Sequence, residues 1–196
     1  MAKIPFPSLR RVRQWSDEHC GPAVLQMLLG YLGKKVSQPK LTVAAGLTQR
    51  KITKQGITIT QMAQAVAKLV PQVQFWYKNK SSLSDIKKII EKYHFPVGVE
   101  WQGIFYQYSD NDDGHYCVVT KVDSAKKEIV LSDPFIAFAK KDRHIKMADF
   151  KKRWWDINLV KNPKTGKVRK VRDSNMIFVI TPKEISFPEF LGMKRG

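Results

Sequence analysis

The chain has 196 residues, 43% of them hydrophobic and 11% aromatic, which suits one domain with a proper core and excludes a disordered protein. Lys and Arg number 35 against 17 Asp and Glu, a formal charge of +18, so a surface that attracts polyanions is expected. The N-terminus lacks the apolar run of a secretory signal, and the longest uncharged stretch, Cys20 to Gly33, is shorter than the ~20 residues that span a bilayer. A cytoplasmic protein without a transmembrane segment is expected.

Residues 1–19 read as irregular because Pro5 and Pro7 block regular pairing, and 1–13 as a lead-in to the body. Cys20-Gly21-Pro22 suits a helix start, Val24, Leu25, Leu28 and Leu32 recur at helical spacing, and Gly30 and Gly33 supply the stop. One short helix is predicted over 37–50, a second amphipathic helix over 58–70, a weak strand over 73–77 and a third helix over 83–92. The period then changes, and 96–101, 115–122, 128–132 and 176–181 read as strands. The expected fold is α+β: a helical first half packed on a mostly antiparallel sheet, one domain over 1–196. Residues 161–175 form a basic loop or hairpin insertion in this reading, and 176–196 the last strand and tail.

Cys20 falls at a predicted helix start, where the positive end of the helix dipole favours thiolate, so it is a candidate nucleophile; a small buried hydrophobe is the bland alternative. Four histidines could serve it as a base. His19 points away from its neighbour, and His94 and His144 read as solvated. His115 opens a strand, and Asp133 closes the next one before Pro134. If the two strands form a hairpin through 123–127, His115 and Asp133 come within reach as a direct or diagonal pair, and the carboxylate would orient the imidazole. The Cys20 N–H and the Gln14 carboxamide could serve a developing oxyanion. Cys117 competes as nucleophile, being two residues from His115, but it has a strand setting and no helix dipole; packing is its expected role. Asp110 to Gly114 lacks the spacing of a calcium loop and reads as a polar turn that could tune His115 or receive a basic substrate segment. No CxxC or HExxH is present, so neither a metal nor a cofactor is expected.

Gln14, then five residues, then Cys20-Gly21-Pro22-Ala23, with Leu25, Met27, Tyr31 and Gly33, and later His115-Tyr-x-Val-Val and Asp133-Pro134, form a pattern that resembles the bacteriocin-processing, double-glycine leader peptidase family of papain-like cysteine peptidases. The resemblance extends through 56–62, 83–96 and 150–154 and reaches about Trp155. It implies a papain-like fold, Cys20 as nucleophile, His115 as general base and acid, Asp133 as orienting residue and Gln14 as oxyanion donor. It also implies a peptide or protein substrate cut after small residues such as Gly-Gly. His19 stands where an acidic residue often precedes the nucleophile.

Two other functions remain in view. Lys140 to Arg172 carries thirteen Lys and Arg against three Asp, and with Trp154 and Trp155 it could be a basic face for nucleic acid or an anionic membrane. The same triad could instead pass its acyl group to an amine, as an acyltransferase does.

Overall fold

A computed structural model describes residues 9–103, 105, 114–161 and 165–196. The acidic turn residues 110–113 and the first eight residues lie outside the described residues. In chain order the elements are α1 (Cys20–Tyr31), α2 (Gln38–Ala44), α3 (Gln49–Gln55), α4 (Ile59–Leu69), β1 (Val73–Lys78), α5 (Leu83–Lys92), β2 (Val97–Gln102), β3 (Gly114–Asp123), β4 (Glu128–Ser132), β5 (Arg143–Lys146), α6 (Met147–Arg153), β6 (Trp155–Lys161), β7 (Val168–Ser174), β8 (Ile177–Pro182), α7 (Phe187–Phe190) and β9 (Lys194–Arg195).

Seven strands form one antiparallel sheet in the order β5-β4-β3-β2-β8-β1-β9, and β6 and β7 pair as a separate two-stranded ribbon. Because side chains alternate along each strand, the sheet buries two apolar layers. Tyr116, Val118, Phe178, Ile180 and Phe75 pack with α1, α2 and α4. Cys117, Val119, Val99, Trp101, Ile177 and Val179 pack on the other face with α5, Phe150, Trp154 and Phe187. None of the described helices is long and apolar enough to cross a membrane.

Local chemistry explains the helix limits. Thr58 and Gln61 form a reciprocal capping box at α4, and Ser82 and Asp85 form one at α5. At the end of α1, Gly33 takes φ +73° while its N–H bonds to Gly30 and that of Lys34 to Leu29, closing the helix with a left-handed cap. The helix predicted over 37–50 is two helices instead. Gly46 at φ +75° ends the first, and the Thr48 side chain caps the second. The hairpin expected from 161 starts earlier: its first strand is β6, from Trp155.

The start of α1 sits directly on this layered body. A Cβ added at Gly21 would lie 2.2 Å from Ile57 Cγ2, 3.1 Å from Met62 Sδ and 3.4 Å from Tyr116 Cδ2. Gly21→Ala should therefore shift the first turn of α1 and destabilise the protein by roughly 1–3 kcal/mol, read as a lower thermal midpoint in calorimetry. An unchanged midpoint would mean that the helix start is loosely seated.

Candidate active site

Cys20 is the first residue of α1, buried to 7% exposure, and its Sγ has no hydrogen bond among the described residues. A helix start leaves its first N–H groups without intrahelical acceptors. Pro22 has no N–H, so the first-turn donors beside the thiol are those of Cys20 and Gly21.

The turn that leads into α1 is held by Gln14. Its Nε2 donates to Ser16 O (3.0 Å) and Asp17 O (2.8 Å), while its own backbone N–H donates to Pro134 O at 2.9 Å. Both amide hydrogens are thus engaged, and the buried Oε1 has no partner among the described residues. Gln14 braces the Cys20 turn and ties it to the segment after Asp133. Presenting an amide hydrogen to an oxyanion would require it to release one of those carbonyls. His19 is fully buried, with Nδ1 2.7 Å from Ser16 Oγ and its pKa lowered by burial.

On β3 and β4 the structure brings His115 and Asp133 together. The register pairs Val118 with Ser132, so Asp133, one step further, stands opposite Cys117 and diagonal to His115. His115 Nε2 lies 2.8 Å from Asp133 Oδ1, which also accepts the Phe135 N–H at 2.9 Å. Arg143 Nη1 donates to the other oxygen, Oδ2, at 2.5 Å. Phe105 sets its ring edge-on to the imidazole, with centroids 4.8 Å apart, and packs in turn on Phe135.

Arg143 is the participant that sequence reasoning missed. It lies inside the basic tract read there as a surface, yet it is only 8% exposed. Pairing of β5 with β4 places it opposite Leu131, and its guanidinium covers the rings of Phe138 (3.8 Å) and Trp101 (5.3 Å). Only the alternation of the short strand Arg143–Lys146 could have hinted at this, and the surrounding run of charges conceals it.

The electrostatics follow from burial and pairing. Burial raises the Asp133 pKa, but the charges of His115 and Arg143 outweigh it and hold the carboxyl at about 2. Burial likewise opposes a charged His115, yet the negative charge available at Cys117 and Asp133 holds its pKa well above the ordinary range. Cys117 is pushed up to about 11, by burial first and then by Asp133, so at neutral pH it is a thiol and Asp133 is the charge that stabilises the imidazolium.

Donor atoms of His115, Cys117 and Asp133 lie within 4.8 Å of one another, a nitrogen, sulfur and oxygen set of the kind zinc uses. Each already has a hydrogen-bond partner, Cys117 Sγ accepting from Trp101 Nε1 at 3.3 Å, and the Arg143 cation occupies the far side of the carboxylate.

Cys20 is not joined to this pair. Tyr116 and Val118 face α1 in one apolar layer, while Cys117 faces the other layer, and His115 shares its side of β3. Among the described residues no hydrogen bond links Cys20 to His115. What lies against the first turn of α1 is Tyr116, whose hydroxyl donates to buried Glu100 Oε1 at 2.5 Å. Burial and the nearby Asp156 charge push Glu100 up to about 8, so it is mostly a neutral acid at pH 7. Asp156, Asn158 and Asp173 of the ribbon complete this network through Gln102 (2.8 Å), Glu100 (3.1 Å) and Asn79 (2.6 Å). At Gly114, just before His115, a Cβ would lie 2.5 Å from the Asp156 carboxylate oxygens, so a larger residue there would displace that side chain from its bond with Gln102.

The sequence matches the model of the peptidase C39 family over residues 8–166. The chain belongs to that family and is a cysteine peptidase with a papain-like fold. Among solved structures it is similar to the peptidase domain of Streptococcus ComA, a bi-functional ABC transporter involved in a quorum sensing pathway, at TM-score 0.60 and 18% identity, covering 89% of this chain and 99% of that one. It is also similar to a double glycine motif protease from an AMS/PCAT transporter, solved with its leader peptide, at TM-score 0.56 and 18% identity, covering 88% and 91%. No curated protein sequence matches the chain.

Asp133 has a lower pKa folded than the unfolded value of about 3.9, so its ionisation contributes about 2 kcal/mol that is present above pH ~4 and is lost as the pH falls toward 2. Asp133→Asn should lower the thermal midpoint at pH 7, and the gap from wild type should close between pH ~4 and ~2. A gap of constant size across that window would contradict the assigned ionisation.

Proposed function

We propose that the protein hydrolyses a peptide bond after small residues, a Gly-Gly pair in a leader peptide, with Cys20 as the nucleophile. The observation that carries this reading is the buried His115–Asp133 pair at 2.8 Å, locked from behind by Arg143, in a member of a cysteine peptidase family. The leader substrate is suggested by the double glycine motif protease to which the fold is similar.

In this mechanism His115 takes the Cys20 proton and the sulfur attacks the scissile carbonyl carbon. The oxyanion is met by the Cys20 N–H and by Gln14 Nε2 once it releases a backbone carbonyl. The C–N bond breaks as His115 returns the proton to the leaving amine, leaving a thioester on Cys20. Water, deprotonated by His115, then releases the acid and restores the thiol. Asp133 orients the imidazole and stabilises its cation, and Arg143 fixes Asp133 in turn. The thiol and the imidazole share no hydrogen bond among the described residues, so this step requires the two to approach one another; contacts of this kind are commonly long in a resting enzyme. Cys117 is unsuited to the role, since it is wholly buried, bonded to Trp101 and held as a thiol. Both cysteines are free, and a reducing compartment such as the cytoplasm would keep them as thiols.

The test is intact-mass analysis after incubation with a vinyl sulfone peptide ending in Gly-Gly. Wild type and Cys117→Ala should each gain one adduct and Cys20→Ala none. Labelling that persists in Cys20→Ala would sink the assignment. With a cleavable peptide and an added amine, an amine-bearing product in place of the free acid would identify acyl transfer.

A second reading concerns the basic tract. The inner side of the ribbon carries Asp156, Asn158 and Asp173 into the polar network, which leaves Ile157 and Leu159 exposed on the outer side beside Lys170 and Arg172. Arg172 covers the Trp155 ring at 4.4 Å. Apolar residues flanked by cations suit an anionic membrane surface. Wild type should sediment with anionic vesicles and not with zwitterionic ones, and Ile157→Asp/Leu159→Asp should lose most of that binding. Equal binding by the double variant would leave the ribbon without this role.

A further inference from the structure

At the far end of α1 from Cys20, a cavity of about 580 Å³ opens between the lead-in residues 10–13, the α1–α2 connection and the start of α2. Its lining includes Arg10, Arg11, Arg13, Lys34, Lys35 and Lys40, and no carboxylate is among the described lining residues. Gly30 lines it ten residues after Cys20, which at 1.5 Å per residue puts it about 15 Å along the helix from the thiol. None of Gln14, Cys20, His115 and Asp133 is among its lining residues, so it is not the candidate active site itself.

The walls are fixed by the backbone. Gln38 is buried, donates from Nε2 to Arg13 O at 2.9 Å and to Gln26 Oε1 at 3.2 Å, and accepts the Trp15 N–H at its Oε1 at 3.1 Å. One side chain thus ties the lead-in to α1 and α2. The left-handed cap at Gly33 sets the direction of Lys34 and Lys35. Arg11 is ion-paired with Asp142, a residue outside the cavity lining, and no other lining cation has an ion pair in the described structure. A lining with six cations and, among the described residues, no carboxylate favours an anion.

We infer that this cavity is a binding site for a small oligophosphate, either free or as the phosphate tail of a nucleotide. Its volume lies within the roughly 300–1,000 Å³ usual for small-molecule sites. Guanidinium groups meet phosphate oxygens in pairs, and lysines add point charges. A peptide carboxylate series spreads one charge over each ~3.3 Å of chain, whereas a triphosphate concentrates several charges in one place, as the cavity does.

Isothermal titration calorimetry of the full chain at physiological salt with inorganic tripolyphosphate tests this. Saturable one-site binding is expected in wild type. Lys34→Glu/Lys40→Glu should weaken it by at least about tenfold, while Lys151→Glu/Lys152→Glu, an equal charge change on α6, should leave it within about twofold. Thermal midpoints near wild type would show that both variants fold, and Lys34→Gln/Lys40→Gln, expected to lose binding in the same direction, replaces the first if that one does not. An oligo-aspartate of equal charge should bind more weakly. A nucleoside triphosphate binding tighter than tripolyphosphate would make the nucleotide the source, and equal binding would make it the phosphate chain alone. Absence of saturable binding, equal losses in the two charge-matched variants, or oligo-aspartate binding as tightly as tripolyphosphate would each overturn the inference.

Discussion

The alternation of side chains along β3 is the constraint on which the rest depends. One buried strand serves two layers: Tyr116 and Val118 support the helix that begins with Cys20, while Cys117 and Val119 belong to the opposite layer and His115 reaches Asp133. A slip of one residue would exchange the two sets. Register is fixed on both sides, by β2 from Val97↔Val119 to Gln102↔Gly114 and by β4 at Val118↔Ser132. The position of Asp133 follows from that second pairing.

The charges are arranged in series outward from His115. Asp133 faces the imidazole with one oxygen and Arg143 with the other, and aromatic rings exclude water from the guanidinium. A guanidinium on the far oxygen draws negative charge away from the imidazole side, so Arg143 both secures the carboxylate and moderates how strongly it holds the histidine proton. A second network, Tyr116–Glu100–Asn158–Asp173, does the equivalent work on the Cys20 side by seating the ribbon against the sheet. There burial keeps Glu100 mostly protonated, which spares the cluster a third close negative charge beside Asp156 and Asp173.

Much of this was legible in the sequence, and the reasons for the rest are local. Helices over 58–70 and 83–92 declared themselves through apolar spacing, and each begins at a capping residue with its partner three positions on. The His115–Asp133 encounter followed from two strands and a short turn. Arg143 was hidden because charge composition carries no information about depth, and a guanidinium between two aromatic rings looks in sequence like one more basic residue. The break at Gly46 was missed because a single glycine inside a short polar stretch is a weak stop signal in sequence, although the backbone there turns left-handed. The start of the ribbon at Trp155 was missed because its polar inner residues, Asp156 and Asn158, serve a buried network in place of the apolar core that alternation usually signals.

The central claim is that Cys20 works through the His115–Asp133 pair although the two are not bonded at rest. The most direct test is the second-order rate of Cys20 labelling by the vinyl sulfone peptide ending in Gly-Gly at neutral pH, resolved by peptide mass mapping, in wild type and His115→Ala. A fall of about a hundredfold in His115→Ala, confined to Cys20, is the result this account predicts. An unchanged rate at Cys20, or modification that maps to Cys117 instead, would contradict it.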